Sequence, residues 1–269
     1  MKKELGFRVI SYVMLLFVFV AALLNVKAVE VPMGAQSVIE GEESTMNASN
    51  YMPESIEAYA GNISQLTIFG RSQTKHWQGY YGEVTGIIVL DDAQNWTLYD
   101  WPNPEPKGEI YATSNETTPN WMTIACFNYT FGADGAGLGN VSYWEGRHDI
   151  VWNDVDGIDE TFNMTTHPTL DIGEFTIQAD SCPSTFTHIN DYFQSEDFVE
   201  VLLADDAGQL IFTTIIENKD TANNTDPVGY NGVTHDFQML VAEDGTSRTG
   251  PGGTRNQDTT TYWFYLDLQ

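Results

Sequence analysis

The stretch from Phe198 to Ile216 constrains this chain more than any other. Phe198-Val199-Glu200-Val201-Leu202-Leu203 and Leu210-Ile211-Phe212-Thr213-Thr214-Ile215-Ile216 flank the turn Asp205-Asp206-Ala207-Gly208. Two short runs rich in β-branched and aromatic residues around a glycine-bearing turn make a β-hairpin. Similar runs recur at residues 63–69, 83–90 and 121–131. In the second, Ile87-Ile88-Val89-Leu90 is continuously apolar, which reads as burial on both faces. Phe237, Met239 and Val241 alternate with Gln238 and Ala242, and Tyr262, Phe264, Leu266 and Leu268 alternate with Trp263, Tyr265 and Asp267. Helix signals are nearly absent after residue 28. The expected fold is all-β, an Ig-like or jelly-roll-type β-sandwich built as one large or two coupled β domains.

The N-terminal segment sets the destination. Lys2, Lys3 and Arg8 precede an apolar run from Val9 to Leu24, and Val26 and Ala28 place compact side chains ahead of a cut before Val29. Residues 1–28 therefore read as a signal peptide. A retained anchor competes with this, because the run is intermediate between a leader and a spanning helix of ~20 residues. A pilin-type cut between Gly6 and Phe7 would leave Arg8 inside the exported helix. Residues 29–50 form a polar, acidic arm that would pair with a neighbour's sheet edge. A first β region follows at 51–131, a glycine-rich connection at 132–140 and a second β region at 141–269. Residues 243–258 read as a loop before the last strand.

Charge excludes several partners. The chain carries 11 Lys+Arg and 38 Asp+Glu; beyond residue 28, 241 residues hold seven and 37, a formal charge of −30. Nucleic acid is disfavoured, because a phosphate backbone is bound through Lys and Arg. Anionic lipid is disfavoured likewise, so membrane contact is expected only through an uncleaved N-terminal segment. Cys126 and Cys182 are the only cysteines. In an exported chain they are expected to form a disulfide, with two buried thiols as the alternative. Asn-x-Ser/Thr occurs at Asn47, Asn62, Asn95, Asn115, Asn128, Asn140, Asn163 and Asn223, more often than chance supplies with 18 Asn. These eight are expected N-glycosylation sites on solvent faces.

Two motifs bear on chemistry. Asn153-Asp154-Val155-Asp156-Gly157-Ile158-Asp159-Glu160 alternates carboxylates before a glycine, as oxygen-rich Ca²⁺ loops do. Asp154, Asp156, Asp159 and Glu160 are the candidate ligands. The EF-hand spacing fails, since Trp152 stands where the first Asp belongs, and a plain acidic turn is the competing reading. The string Thr74-Lys75-His76-Trp77-Gln78-Gly79-Tyr80-Tyr81-Gly82 brings aromatics together with glycines. Trp77, Tyr80 and Trp96 are candidates for stacking on a sugar or peptide, against the alternative of core packing. No GxSxG, HExxH, Walker loop or dinucleotide fingerprint occurs, and the five histidines show no ligand spacing. No catalytic residues and no cofactor beyond Ca²⁺ are assigned.

Residues 74–82, with Leu90-Asp91-Asp92, Gly108-Glu109-Ile110-Tyr111-Ala112, Val201-Leu202-Leu203 and His235-Asp236-Phe237-Gln238-Met239-Leu240-Val241, resemble an uncharacterised family of secreted archaeal β-rich surface proteins. The resemblance runs from about residue 50 to the end. It implies an exported surface protein and carries no catalytic role. The expected function is therefore non-enzymatic, as a coat, filament or adhesive component at the cell surface that self-associates or meets other surface proteins and glycans. A carbohydrate- or cell-surface-binding module is the alternative, and a secreted hydrolase comes third.

Overall fold

The computed structural model describes residues 31–43, 55–68, 70, 72–103, 106–130, 140–190, 193–217, 227–243 and 260–268. The signal segment, Asn47, Asn223 and most of the 132–140 and 243–258 connections lie outside them.

Register in the central ladder shows why the longest apolar runs form its middle. β5 (Gly108–Thr113), β10 (Phe193–Ala204), β11 (Leu210–Ile216) and β13 (Trp263–Leu268) are antiparallel neighbours in the order β13-β5-β11-β10. β1 (Met33–Gly34) adds to the outer edge of β13, so the arm that was expected to reach a neighbour pairs here with its own chain. Beyond β10 lie two short strands, β6 (Ala125–Cys126) and β9 (Ser184–Asn190), which meet different stretches of it. Strands from both expected β regions thus interleave in one sheet. The expected 198–216 hairpin is β10 and β11, closed at Gly208, whose φ of 75° suits glycine.

Side chains alternate across this sheet. Phe264, Ala112, Phe212 and Leu202 share one row, and Tyr265, Tyr111, Thr213 and Val201 share the next on the opposite face. Both faces are covered. Over the first lies the antiparallel pair β2 (Trp77–Gly82) and β12 (Phe237–Ala242), together with α1 (Val141–Arg147) and α2 (Ile158–Thr161). Over the second lie Trp121, Ile124 and the small hairpin of β7 (Leu170–Ile172) and β8 (Phe175–Ile177). Burial on both faces is why Val201 to Leu203 in β10 and Leu210 to Phe212 in β11 are runs of apolar residues rather than alternating ones. The expected all-β architecture is the one found.

The disulfide joins Cys126 to Cys182, with Cα atoms 4.8 Å apart. Cys126 pairs with Leu203, and Ser184, two residues past Cys182, pairs with Val201. The bond therefore splices two short segments into one edge along β10.

Three local expectations need correction. Residues 121–131 do not form one long strand: Trp121–Thr123 is a 3₁₀ turn followed by the two-residue β6. Trp121 and Ile124 both point into the second-face core, and that i, i+3 spacing suits a turn. Residues 63–68 lie outside every described strand and are exposed, with no ladder partner among the described residues. Ile87 to Leu90 do form a strand, β3 (Gly86–Asp91), paired with β4 (Thr97–Asn103), but all four side chains are exposed. This ribbon leaves the body just after Val84, which is buried with Ile110 and Ile216.

Candidate functional site

The two motifs singled out in the sequence meet in space. Residues 74–77 approach the acidic turn across about eighty positions of sequence. The Thr74 hydroxyl donates to Asp156 Oδ2 at 2.6 Å, and Trp77 Nε1 donates to the Asp156 carbonyl at 2.7 Å. His76 Nε2 stands 3.7 Å from Asp154 Oδ2, which also accepts the Val151 N–H at 3.2 Å. His76, Asp154 and Asp156 each direct a ligand atom to one place, within 4.8 Å of one another.

A second cluster sits on the other side of the same turn. α1 starts at Asn140, whose Oδ1 caps the Tyr143 N–H at 2.7 Å. One turn later α1 delivers Glu145, buried beneath α2. Glu145 Oε1 accepts the Ile158 N–H at 3.2 Å, and Asp159 and Glu160 in α2 bring their carboxylates within 4.8 Å of it. Gly157 is the hinge of this arrangement. A Cβ there would lie 2.3 Å from Glu160 Oε2 and 3.0 Å from Glu145 Oε1, so only glycine lets the carboxylates close over the backbone.

Electrostatics mark the cluster as strained in charge. Burial, then the hydrogen-bonded Asp159, push the Glu145 carboxyl up to about 7. Contact with Asp159, then burial, raises Glu160 as well. Glu160 Oε2 is buried with no hydrogen-bond donor on it. Three crowded carboxylates without a basic partner among the described residues have two chemical outlets: they share a proton, or they hold a cation. The all-oxygen set suits Ca²⁺ or Mg²⁺, and the His76 set suits a borderline transition metal such as Zn²⁺ or Mn²⁺.

Of the four ligands read from the sequence, Asp154 and Asp156 join one cluster and Asp159 and Glu160 the other. Sequence reasoning missed His76 and Glu145, which no spacing links to the acidic turn; only packing brings them there.

The aromatic candidates separate. Trp77 is half-buried, its ring 6.0 Å from Phe162 and 6.1 Å from Phe212, and Tyr80 packs edge-on against Phe264. Both rings contribute to the core. Trp96, in contrast, stands 73% exposed at the end of the β3–β4 ribbon. Among the sequons, Asn62, Asn95, Asn128 and Asn163 are exposed, while Asn115 and Asn140 are half-buried. Asn128 Oδ1 accepts both the N–H and the hydroxyl of Thr130, and Asn115 Oδ1 accepts the Thr117 N–H.

His167 lines a cavity of about 310 Å³ together with Phe186, Val199 and Ile215. Its Nε2 already accepts the N–H groups of Ser181 and Cys182, which ties the imidazole to the segment that carries the disulfide just before β9. No family model, curated protein or solved structure matches this chain.

Proposed function

We propose that this chain is an exported, glycosylated, non-enzymatic protein of an archaeal cell surface, built to assemble into a coat, filament or adhesive layer. One observation carries the reading: a chain that buries both faces of its central sheet leaves the β3–β4 ribbon in solvent, with Ile88, Leu90, Tyr99 and Trp101 together on one face. Contiguous exposed apolar patches of this kind mark association sites. The disulfide agrees with an oxidising compartment, where such bonds persist. Four of the eight sequons, Asn62, Asn95, Asn128 and Asn163, fall on exposed residues, as glycan acceptors require. In this reading Ca²⁺ is held at the acidic turn by Asp159 and Glu160 with Glu145, while Asp154 and Asp156 with His76 form the second set, suited to a transition metal.

The test is electron microscopy of the protein as exported, with and without millimolar Ca²⁺. Ordered filaments or sheets are expected; dispersed particles under every condition overturn the reading. A second reading is a carbohydrate-binding module. Trp96 is exposed, and the Tyr99 and Trp101 rings lie 4.6 Å apart on one exposed face, a platform on which a sugar ring stacks. A glycan array with hits lost on Trp101→Ala would establish it. As for hydrolysis, the buried carboxyl pair Glu109 and Asp267 lies beneath the β7–β8 hairpin rather than in an open cleft.

A further inference from the structure

Among the described residues, neither the β3–β4 ribbon nor the extended segment 62–68 meets a further strand. β3 and β4 pair only with each other among the described strands, so each keeps one open edge. A two-stranded hairpin alone is marginal in water. Register places Ile88 beside Trp101 and Leu90 beside Tyr99 on one face, with Ile87 and Val89 on the other. Leu98 is 81% exposed. With Trp96, these side chains leave apolar surface in solvent on both faces of the ribbon, the larger share on the face of Ile88, Leu90, Tyr99 and Trp101. The ribbon is rooted rather than adrift. A Cβ at Gly86 would come 2.9 Å from Leu268 Cδ1, so the strand passes tightly over the end of β13 before it leaves the body.

Segment 62–68, Asn62-Ile63-Ser64-Gln65-Leu66-Thr67-Ile68, has the composition of a strand and none of its ladder bonds. Ile63 is fully exposed and Ile68 is 86% exposed. In a chain of net charge −27, residues 61–70 carry no charged side chain at all. β3 is uncharged from Gly86 to Leu90, whereas β4 carries Asp100 and Pro102, the latter lacking a donor N–H. Two uncharged edges on an otherwise self-repelling molecule are the places where two copies approach without like-charge cost. Lipid fits the ribbon less well, since Asp91, Asp92 and Asp100 would enter the bilayer interface with it.

We propose that residues 62–68 of one copy add as a strand to the open edge of β3 in a second copy, a head-to-tail contact that propagates into a chain of subunits. This rests on the assembly reading above and names its site and partner. Main-chain hydrogen bonds along β3 supply affinity, and Leu66 and Ile68 cover the apolar face that Ile88 and Leu90 expose. Asn62 and Asn95 lie at the ends of the segment and of the ribbon, so glycans there leave the strand edges clear.

Complementation tests it, with the full chain exported by its own leader. Leu66→Asp spoils the segment and leaves the ribbon; Ile88→Asp does the reverse. All these side chains are exposed, so unchanged far-UV circular dichroism and Tm confirm the fold. Sedimentation is expected to show wild type as oligomers and each variant alone as single chains. The one-to-one mixture is expected to give dimers that do not grow, because one good segment meets one good ribbon. Wild-type assemblies that persist in both variants overturn the strand-addition site while leaving the assembly reading intact. Loss only with Ile88→Asp, without rescue, shows ribbon-on-ribbon pairing and overturns the proposal. Binding to phosphatidylcholine vesicles lost with Ile88→Asp, in a chain that never oligomerises, overturns both readings. Variants with one added cysteine each, Gln65→Cys and Val89→Cys, whose side chains would share the other face of the joined sheet, give a second readout. A cross-linked dimer on mixing supports the contact, and a cross-link formed only within the doubly substituted monomer refutes it.

Discussion

Glu109 and Asp267 stand directly opposite each other in the β5–β13 ladder, and both are buried. Directly paired residues in such a ladder have Cβ atoms about 5 Å apart, so the two carboxyls share one small space. Ile215 fills the neighbouring position on β11. The Tyr111 hydroxyl donates to Glu109 Oε2 at 3.4 Å, and the Gly173 N–H, from the turn of the β7–β8 hairpin, donates to Asp267 Oδ2 at 2.9 Å. Asp171 on β7 adds a third acid nearby. Burial first, then the charge of Asp267, pushes the Glu109 carboxyl up to about 8.

A pH dependence of stability follows. The unfolded chain loses the Glu109 proton near the ordinary value of 4.5, while the folded chain keeps it until about 8. The stability contributed by the neutral carboxyl is therefore complete below about pH 4.5 and declines as pH rises, with the loss complete above about 8. The drop is on the order of 3–5 kcal/mol. Glu145, raised to about 7, adds a second decline over a narrower window. Urea midpoints at pH 5, 7 and 9 should fall in wild type and fall less in Glu109→Gln. An unchanged slope in that variant would show that Glu109 is not the group responsible.

Cation binding opposes the same decline at the acidic turn. Millimolar Ca²⁺ should raise the Tm at pH 8, and at a hundredfold excess over Kd the gain is about 2.7 kcal/mol. Below pH 7 the proton on Glu145 competes, so affinity should weaken as pH falls. Glu145→Gln and Glu160→Gln should remove the Ca²⁺ response, whereas His76→Ala should remove only a response to Zn²⁺ or Mn²⁺. A calcium-induced shift that survives both Gln variants places the ion elsewhere.

Glu200 is the most deeply buried acid among the described residues. It lies on the first face of the sheet, where Oε2 accepts the Leu240 N–H at 2.8 Å and fastens β12 to β10. Burial raises its carboxyl well above the usual range. Glu200→Gln keeps an acceptor for Leu240 and should cost under about 1 kcal/mol. Glu200→Leu orphans that N–H and should cost about 1–3 kcal/mol. Chemical denaturation of the two variants at pH 6 separates the effects; equal losses would mean that the hydrogen bond contributes nothing.

The splice between β6 and β9 gives a further prediction. Cys126 and Cys182 are separated by 56 residues in sequence, and opening that loop should cost about 4 kcal/mol in the chain-entropy model. Hydrogen exchange in the Cys126→Ser, Cys182→Ser variant should speed up first at Ala125, Cys126 and Ser184, which form the outer edge of β10. Uniform acceleration across β10 and β11 would instead point to a global effect.

What sequence alone determined is the local grammar. β10, β11, β12 and β13 appear where β-branched and aromatic residues cluster between turn residues, because backbone propensity and side-chain alternation are properties of consecutive residues. The pairing of Cys126 with Cys182 follows from their being the only two. Tertiary structure decided everything that depends on residues distant in the chain. Ile87 to Leu90 and residues 63–68 have the same composition as core strands, yet both are exposed, since burial requires a partner surface that no local pattern encodes. His76 and Glu145 reach the acidic turn only because β2 and α1 pack on the same face of the central sheet. Glu109 and Asp267 become one electrostatic unit through register alone: a one-residue slip between β5 and β13 would send their side chains to opposite faces.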